Sequence, residues 1–115
     1  MKVRNMEIFE IHASYCGVLA SSKRLAIMAC LDKQEMSVGE LAEAIDCPMS
    51  TVSRHLTLLK SKHLVKMRKE GTSVFYSPAD RRIIEACSMI RMVLVESMKK
   101  RGLVAQELDI DNIIE

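Results

Sequence analysis

At 115 residues the chain has room for one modest core and not for two independent domains. With 2 Phe, 2 Tyr, no Trp and 9 Met, that core has to be aliphatic and adaptable. The 17 basic and 15 acidic side chains nearly cancel, so bulk charge does not argue for a polyanionic partner, and no apolar run approaches membrane-spanning length.

The first residues, Met1-Lys-Val-Arg-Asn-Met-Glu, lack the apolar core of a secretory signal, so the expected compartment is the cytoplasm. The four cysteines, Cys16, Cys30, Cys47 and Cys87, are then expected as reduced thiols. No Cys-x-x-Cys occurs, which argues against a zinc knuckle and against a thioredoxin-type pair.

Residues 6–19 carry Ile8, Ile11, Tyr15 and Leu19 at helical spacing and predict a first helix. Ser21 and Ser22 break it and cap a second helix over 23–31, with Leu25, Met28, Ala29 and Leu31 as core. Residues 32–36 form a polar connector. Residues 37–62 organise the rest. Val38, Leu41, Ala42 and Ile45 give one apolar stripe, with Ser37 and Glu40 spaced for a capping box. Pro48 ends that helix near Asp46 and starts the next, because proline disfavours helical backbone before it and suits a helix's first turn. The next helix buries Val52, Leu56 and Leu59, with Leu58 as a further core candidate.

The outer face of that helix carries Ser50, Thr51, Ser53, Arg54, His55 and Thr57, and no carboxylate stands between Pro48 and Lys69. A solvated helix face ordinarily carries Glu and Lys in pairs. Short hydroxyls reach phosphates or base edges without holding a helix out of the groove, and an arginine can fork onto guanine. Two helices joined by a tight turn, the second bearing such a face, read as a helix-turn-helix. The bland alternative is a helical hairpin with a polar surface. Charge distribution favours the sharper reading. Arg54, Lys60, Lys62, Lys66, Arg68 and Lys69 fall in one stretch without an acid, while Asp32, Glu35, Glu40, Glu43 and Asp46 precede it.

Residues 63–69 alternate weakly, Glu70-Gly71-Thr72 is a turn, and Ser73-Val-Phe-Tyr-Ser77 is β-branched and aromatic. This predicts a basic hairpin, a wing beside the recognition helix. Pro78-Ala-Asp80 opens a long helix over roughly 79–101, whose Ile83, Ile84, Cys87, Ile90, Leu94, Val95 and Met98 cover more than one stripe. Such breadth predicts a second copy of the chain as partner. The expected fold is mainly α with a small β-hairpin wing, a winged helix-turn-helix dimerised through its N- and C-terminal helices. Residues 1–102 form the DNA-binding and dimerisation domain, and residues 103–115 form an acidic segment, either a short helix or a tail.

The run Lys23-Arg-Leu-Ala-Ile27, Ser37-Val-Gly-Glu-Leu-Ala42, Ser50-Thr-Val-Ser-Arg-His-Leu-Thr-Leu-Leu-Lys60, Leu64-Val65, Gly71 and Phe75-Tyr-Ser77 resembles the ArsR/SmtB family of winged-helix repressors over roughly residues 8–98. The resemblance implies a homodimer that sits on operator duplex without a cofactor and leaves when an inducer binds. It places Met49, Ser50, Thr51, Ser53, Arg54 and His55, with Arg68 and Lys69 on the wing, at the DNA, and Lys60 of the basic stretch joins them as an expected contact.

The family's inducer sites carry over poorly. Ser37 and Gly39 stand where one class has a Cys-x-Cys. Asp80 and Glu96 fit a second class, but Arg82 and Val93 replace its histidines. Two readings remain for Cys16, Cys30, Cys47 and Cys87: small buried hydrophobes, or soft thiolates that sense a metalloid, a soft metal or an oxidant. His12 and His63 are lone histidines without a ligand pattern. A winged-helix module that binds protein instead of DNA is the rival function. An enzyme is the weakest of the three expectations, since the sequence shows no phosphate loop, no paired catalytic carboxylates and no partnered nucleophile.

Overall fold

The computed structural model describes residues 1–110 and 113–114; Asp111, Asn112 and Glu115 of the acidic segment lie outside the described residues. In chain order the elements are α1 (Met6–Leu19), α2 (Ser22–Lys33), α3 (Val38–Ala44), α4 (Met49–Ser61), β1 (Val65–Glu70), β2 (Ser73–Pro78) and α5 (Arg81–Lys100). Residues 1–79 form one compact unit and the chain from Asp80 onward forms a second.

In the first unit α2 packs against α1, α3, α4 and β2. Its core is Ile27, Met28, Leu31, Leu41, Val52, Leu56, Leu59 and Leu64, each less than 2% exposed. Aliphatic side chains and one methionine fill it, as the composition requires. Leu58 is not part of it. At 44% exposed it lies off the Val52–Leu56–Leu59 stripe, whose four- and three-residue spacing keeps one face inward. Leu25, Ala29, Val38 and Ile45, expected as core, are half-buried.

The helix ends follow local chemistry. Ser21 Oγ accepts from Arg24 N at 3.4 Å and starts α2. The capping box of α3 is complete: Ser37 Oγ accepts from Glu40 N at 3.2 Å, and Glu40 Oε1 accepts from Ser37 N at 3.0 Å. The chain leaves α3 with Asp46 in the left-handed region, φ +51°, donating to Glu43 O while Cys47 N donates to Ala42 O. Pro48 is the N-cap of α4, and its carbonyl accepts from Thr51 N and Val52 N. The left-handed Asp46 and the proline together make the sharp corner between the two helices. His63, at φ +57°, ends α4 in the same manner, with His63 N donating to Lys60 O and Leu64 N to Leu59 O.

Strands β1 and β2 pair antiparallel, from Val65 opposite Pro78 to Glu70 opposite Ser73, leaving Gly71 and Thr72 as the loop. Gly71 has φ +62° at the first loop position, where a two-residue hairpin turn favours glycine. Pro78 thus closes β2 instead of opening the last helix, a place on a strand's edge where its missing N–H costs nothing. The connector after α2 is more than polar linkage. Met36 N donates to Tyr76 O at 3.1 Å and Tyr76 N to Met36 O at 2.8 Å, adding a one-residue strand beside β2.

In the second unit Asp80 caps α5, its carboxylate accepting from Arg82 N at 2.9 Å. Gly102, φ +68°, ends the helix, with Leu103 N donating to Met98 O. Residues 103–109 run as turns, tied back by Gln106 Nε2 donating to Lys99 O at 2.7 Å. No described helix is long and apolar enough to cross a membrane.

Candidate nucleic-acid interface

On α4, Met49, Ser50, Ser53, Arg54, Thr57 and Lys60 are exposed, and Thr51 and His55 are half-buried. Arg54 Nη2 donates to Thr51 Oγ1 at 3.4 Å, which steadies the long side chain along the helix. Thr57 Oγ1 donates to Ser53 O at 2.9 Å, so that hydroxyl is occupied by its own helix. The helix face therefore offers a flat row of short side chains with one arginine standing out of it.

His55 is turned partly inward. Arg24 Nη1 donates to its Nδ1 at 3.1 Å. Burial and then the neighbouring Arg24, Arg54 and Lys23 charges hold its pKa below the ordinary 6.5. With Nδ1 accepting, the ring carries its proton on Nε2. Arg24 also donates from Nε to the carbonyl of Val18.

The basic block is less uniform in space than along the chain. Lys62 Nζ donates to Ser14 Oγ on α1 at 3.1 Å, which takes it away from α4's outer face. Lys60 Nζ lies 3.4 Å from Met67 Sδ, linking the end of α4 to the wing. Lys66 and Lys69 are exposed on β1. Arg68 is not an isolated cation. Glu35 accepts from its Nε and Nη2 at 3.2 and 2.5 Å, Glu70 accepts from Nη1 at 2.9 Å, and the guanidinium carbon lies 5.0 Å from the Phe75 ring centre. The hydrogen bond from Arg68 holds the Glu35 carboxyl below the usual carboxylate range. Glu35 and Arg24 were not singled out from the sequence, because each acts on a residue more than 30 positions away.

Cys30 is 4% exposed and its thiol is pushed up by burial; it serves as core. Cys16 is exposed, and Cys47 and Cys87 are half-buried. Among the described residues no group of three or more His, Cys, Asp or Glu side chains is placed to hold a metal ion. Asp80 is paired with Arg82, Nη2 to Oδ2 at 2.7 Å, and hydrogen bonds from Arg82 pull its carboxyl down to about 2. Ser37 is engaged in the α3 cap, while Gly39 and Val93 have no ligating atom in their side chains.

Residues 19–68 match the family described as a helix-turn-helix domain. A transcriptional repressor SmtB homolog from Synechocystis is 34% identical over 96 residues, covering 84% of this chain and 73% of that relative. The chain belongs to the ArsR/SmtB family. The nodulation protein NolR of Rhizobium meliloti is 34% identical over 76 residues, 66% of this ArsR/SmtB chain and 62% of that protein's length. Among solved structures, a homodimeric winged helix-turn-helix DNA-binding domain from Mycobacterium bovis, described as a possible ArsR-family regulator, superposes with a TM-score of 0.72. It is 29% identical, with 84% of this chain and 89% of that one covered. ArsR/SmtB family and winged fold are those of transcriptional regulators, not of enzymes.

Proposed function

We propose that the chain works in the cytoplasm as a homodimeric, sequence-specific regulator of transcription that represses by occupying operator duplex. The observation that carries this reading is the exposed, carboxylate-free face of α4 beside a hairpin that presents Lys66 and Lys69. Met49, Ser50, Thr51, Ser53 and Arg54 face the major groove, with Lys60 and Lys69 on the backbone. Arg54, the long donor on that face, is the residue assigned to a base edge. His55, tied to Arg24, contributes its Nε2 donor at the margin of the contact.

Residues 1–102 supply DNA binding and dimerisation, and 103–115 are an appended acidic segment. Exposed apolar side chains on two helices support the dimer. They are Met6, Ile8, Phe9 and Ile11 on α1, and Met89, Ile90, Met92, Val93 and Leu94 on α5. Release by a small inducer follows from the family; of the four thiols, Cys16 is the one most open to a reagent.

The test is fluorescence anisotropy with duplex from the gene's own upstream region against a scrambled duplex. Binding through about six to ten phosphate contacts weakens by roughly three to five orders of magnitude between 50 and 200 mM salt. Arg54→Ala is expected to cost about 1–3 kcal/mol of discrimination against the wrong base. An Arg54→Ala protein that distinguishes the two duplexes as well as the parent would transfer the case to a protein-binding module.

A further inference from the structure

The charge that the wing offers is set by geometry as well as by sequence. Glu35 stands one residue before Met36, and the Met36–Tyr76 backbone pair seats the α2–α3 connector against β2. Arg68 lies opposite Phe75 across the hairpin. The carboxylate of the connector and the guanidinium of the wing therefore meet. Glu35 closes the Nε–Nη2 edge of Arg68, Glu70 takes Nη1, and the Phe75 ring lies against the guanidinium carbon. A phosphate grips an arginine through the same two-donor edge that Glu35 occupies.

We infer that Glu35 is an internal stand-in for phosphate that withholds Arg68 from duplex DNA, so that the wing grips the backbone through Lys66 and Lys69 alone. The inference rests on the DNA-binding function proposed above. The Arg68–Glu35 pair is exposed, with side chains 48% and 41% accessible, and such pairs contribute little to folding. What the pair controls is electrostatic. Glu35 and Glu70 both close on Arg68, so its guanidinium adds nothing to the attraction that Lys66 and Lys69 exert on a polyanion. Removing the carboxylate frees one two-donor edge and turns a neutral buckle into a backbone contact that reads no sequence. Glu35 is thus a positioning residue that limits sequence-independent binding.

The test uses the full chain and a random-sequence duplex of about three helical turns, titrated across salt. Parent, Glu35→Gln, Glu35→Ala, Arg68→Ala and the Glu35→Ala/Arg68→Ala double variant are compared. Each added phosphate contact steepens the slope of log affinity against log salt by about 0.9, so the two in a homodimer add about 1.8, an extra loss of about 12-fold over a fourfold rise in salt. Glu35→Ala is expected to bind more tightly at low salt and to show that steeper slope. Glu35→Gln should show part of it, and the double variant should return to the slope of Arg68→Ala. Unchanged or weaker binding by both Glu35 variants overturns the inference, as does a steeper slope that persists without Arg68. If the parent itself shows no salt-dependent binding to any duplex, it is the proposed function that has failed.

Discussion

Arg24 on α2 and His55 on α4, 31 residues apart, share a hydrogen bond of 3.1 Å from Nη1 to Nδ1. With its Nε on the Val18 carbonyl at the end of α1, one guanidinium ties three helices together beneath the face expected to meet DNA. Together with burial, its position favours the neutral form of His55, since a cation donating to Nδ1 is compatible only with a neutral ring.

The first prediction is a pH effect. Burial, then Arg24, Arg54 and Lys23, lower the His55 pKa from 6.5 in the folded chain. Above pH 6.5 the ring is neutral whether the chain is folded or not, and it contributes nothing to pH dependence. As the pH falls below 6.5 the unfolded chain takes the proton first, so folding loses stability until His55 itself protonates. An NMR titration of the histidine Cε1–H resonances should show His55 titrating below 6.5 and moving upward in Arg24→Met. Urea midpoints should fall between pH 7 and pH 5 less in His55→Gln than in the parent. A His55 midpoint above 6.5 would contradict the arrangement.

A second prediction separates two neighbouring leucines. Leu56 is 1% exposed and Leu58 is 44% exposed. Leu56→Ala should cost about 2–5 kcal/mol in urea unfolding, from lost transfer energy and the cavity left behind. Leu58→Ala should stay within roughly 0.5 kcal/mol, as surface changes usually do. Equal losses at the two positions would mean that α4 is rotated from the orientation described.

These pairs show what was legible along the chain. The Val52–Leu56–Leu59 stripe, the Ser37–Glu40 box and the Gly71 turn are local patterns, readable because cause and effect lie within a few residues. Arg68 read as a wing cation and His55 as an outer-face residue because their partners, Glu35 and Arg24, come close only through the fold. Met36 read as linker for the same reason: a single bridge to Tyr76 leaves no periodicity. Leu58 was ambiguous because two leucines in succession let the stripe be drawn through either. Pro78 reads as a helix opener yet ends β2, because a proline suits the last residue of an edge strand as well as the start of a helix.

The C-terminus of α4 offers a third prediction. His63 holds φ +57° to let Leu64 N reach Leu59 O, and its side chain is exposed. A residue with a Cβ pays for that backbone region, whereas glycine does not. His63→Gly should raise stability by about 0.5–1 kcal/mol, after allowance for the greater freedom of glycine in the unfolded chain. A loss on thermal or urea unfolding would show that the imidazole contributes something beyond its backbone.

Thiol accessibility gives a fourth. Cys16 is exposed, whereas Cys30 is buried in α2 with its thiol pushed up, so less thiolate is available to react. Iodoacetamide followed by peptide mass spectrometry should label Cys16 early and Cys30 only as the chain unfolds. Early labelling of Cys30 would mean that α2 opens readily in the native state.

The last prediction concerns the partner copy. Leu94 is 54% exposed on α5, beside Ile90 at 69% and Val93 at 60%. A second copy that covers this face explains so much apolar surface exposed along α5. Leu94→Glu places a charge in that seam without disturbing the core of either compact unit. Light scattering should give twice the 13.0 kDa chain mass for the parent and a single chain for the variant, with equal helical circular dichroism. Affinity for upstream duplex should drop by more than about tenfold, because each half-site must then be held alone. A monomeric parent would overturn the dimer itself, whereas a Leu94→Glu protein that remains dimeric would place the contact between copies elsewhere.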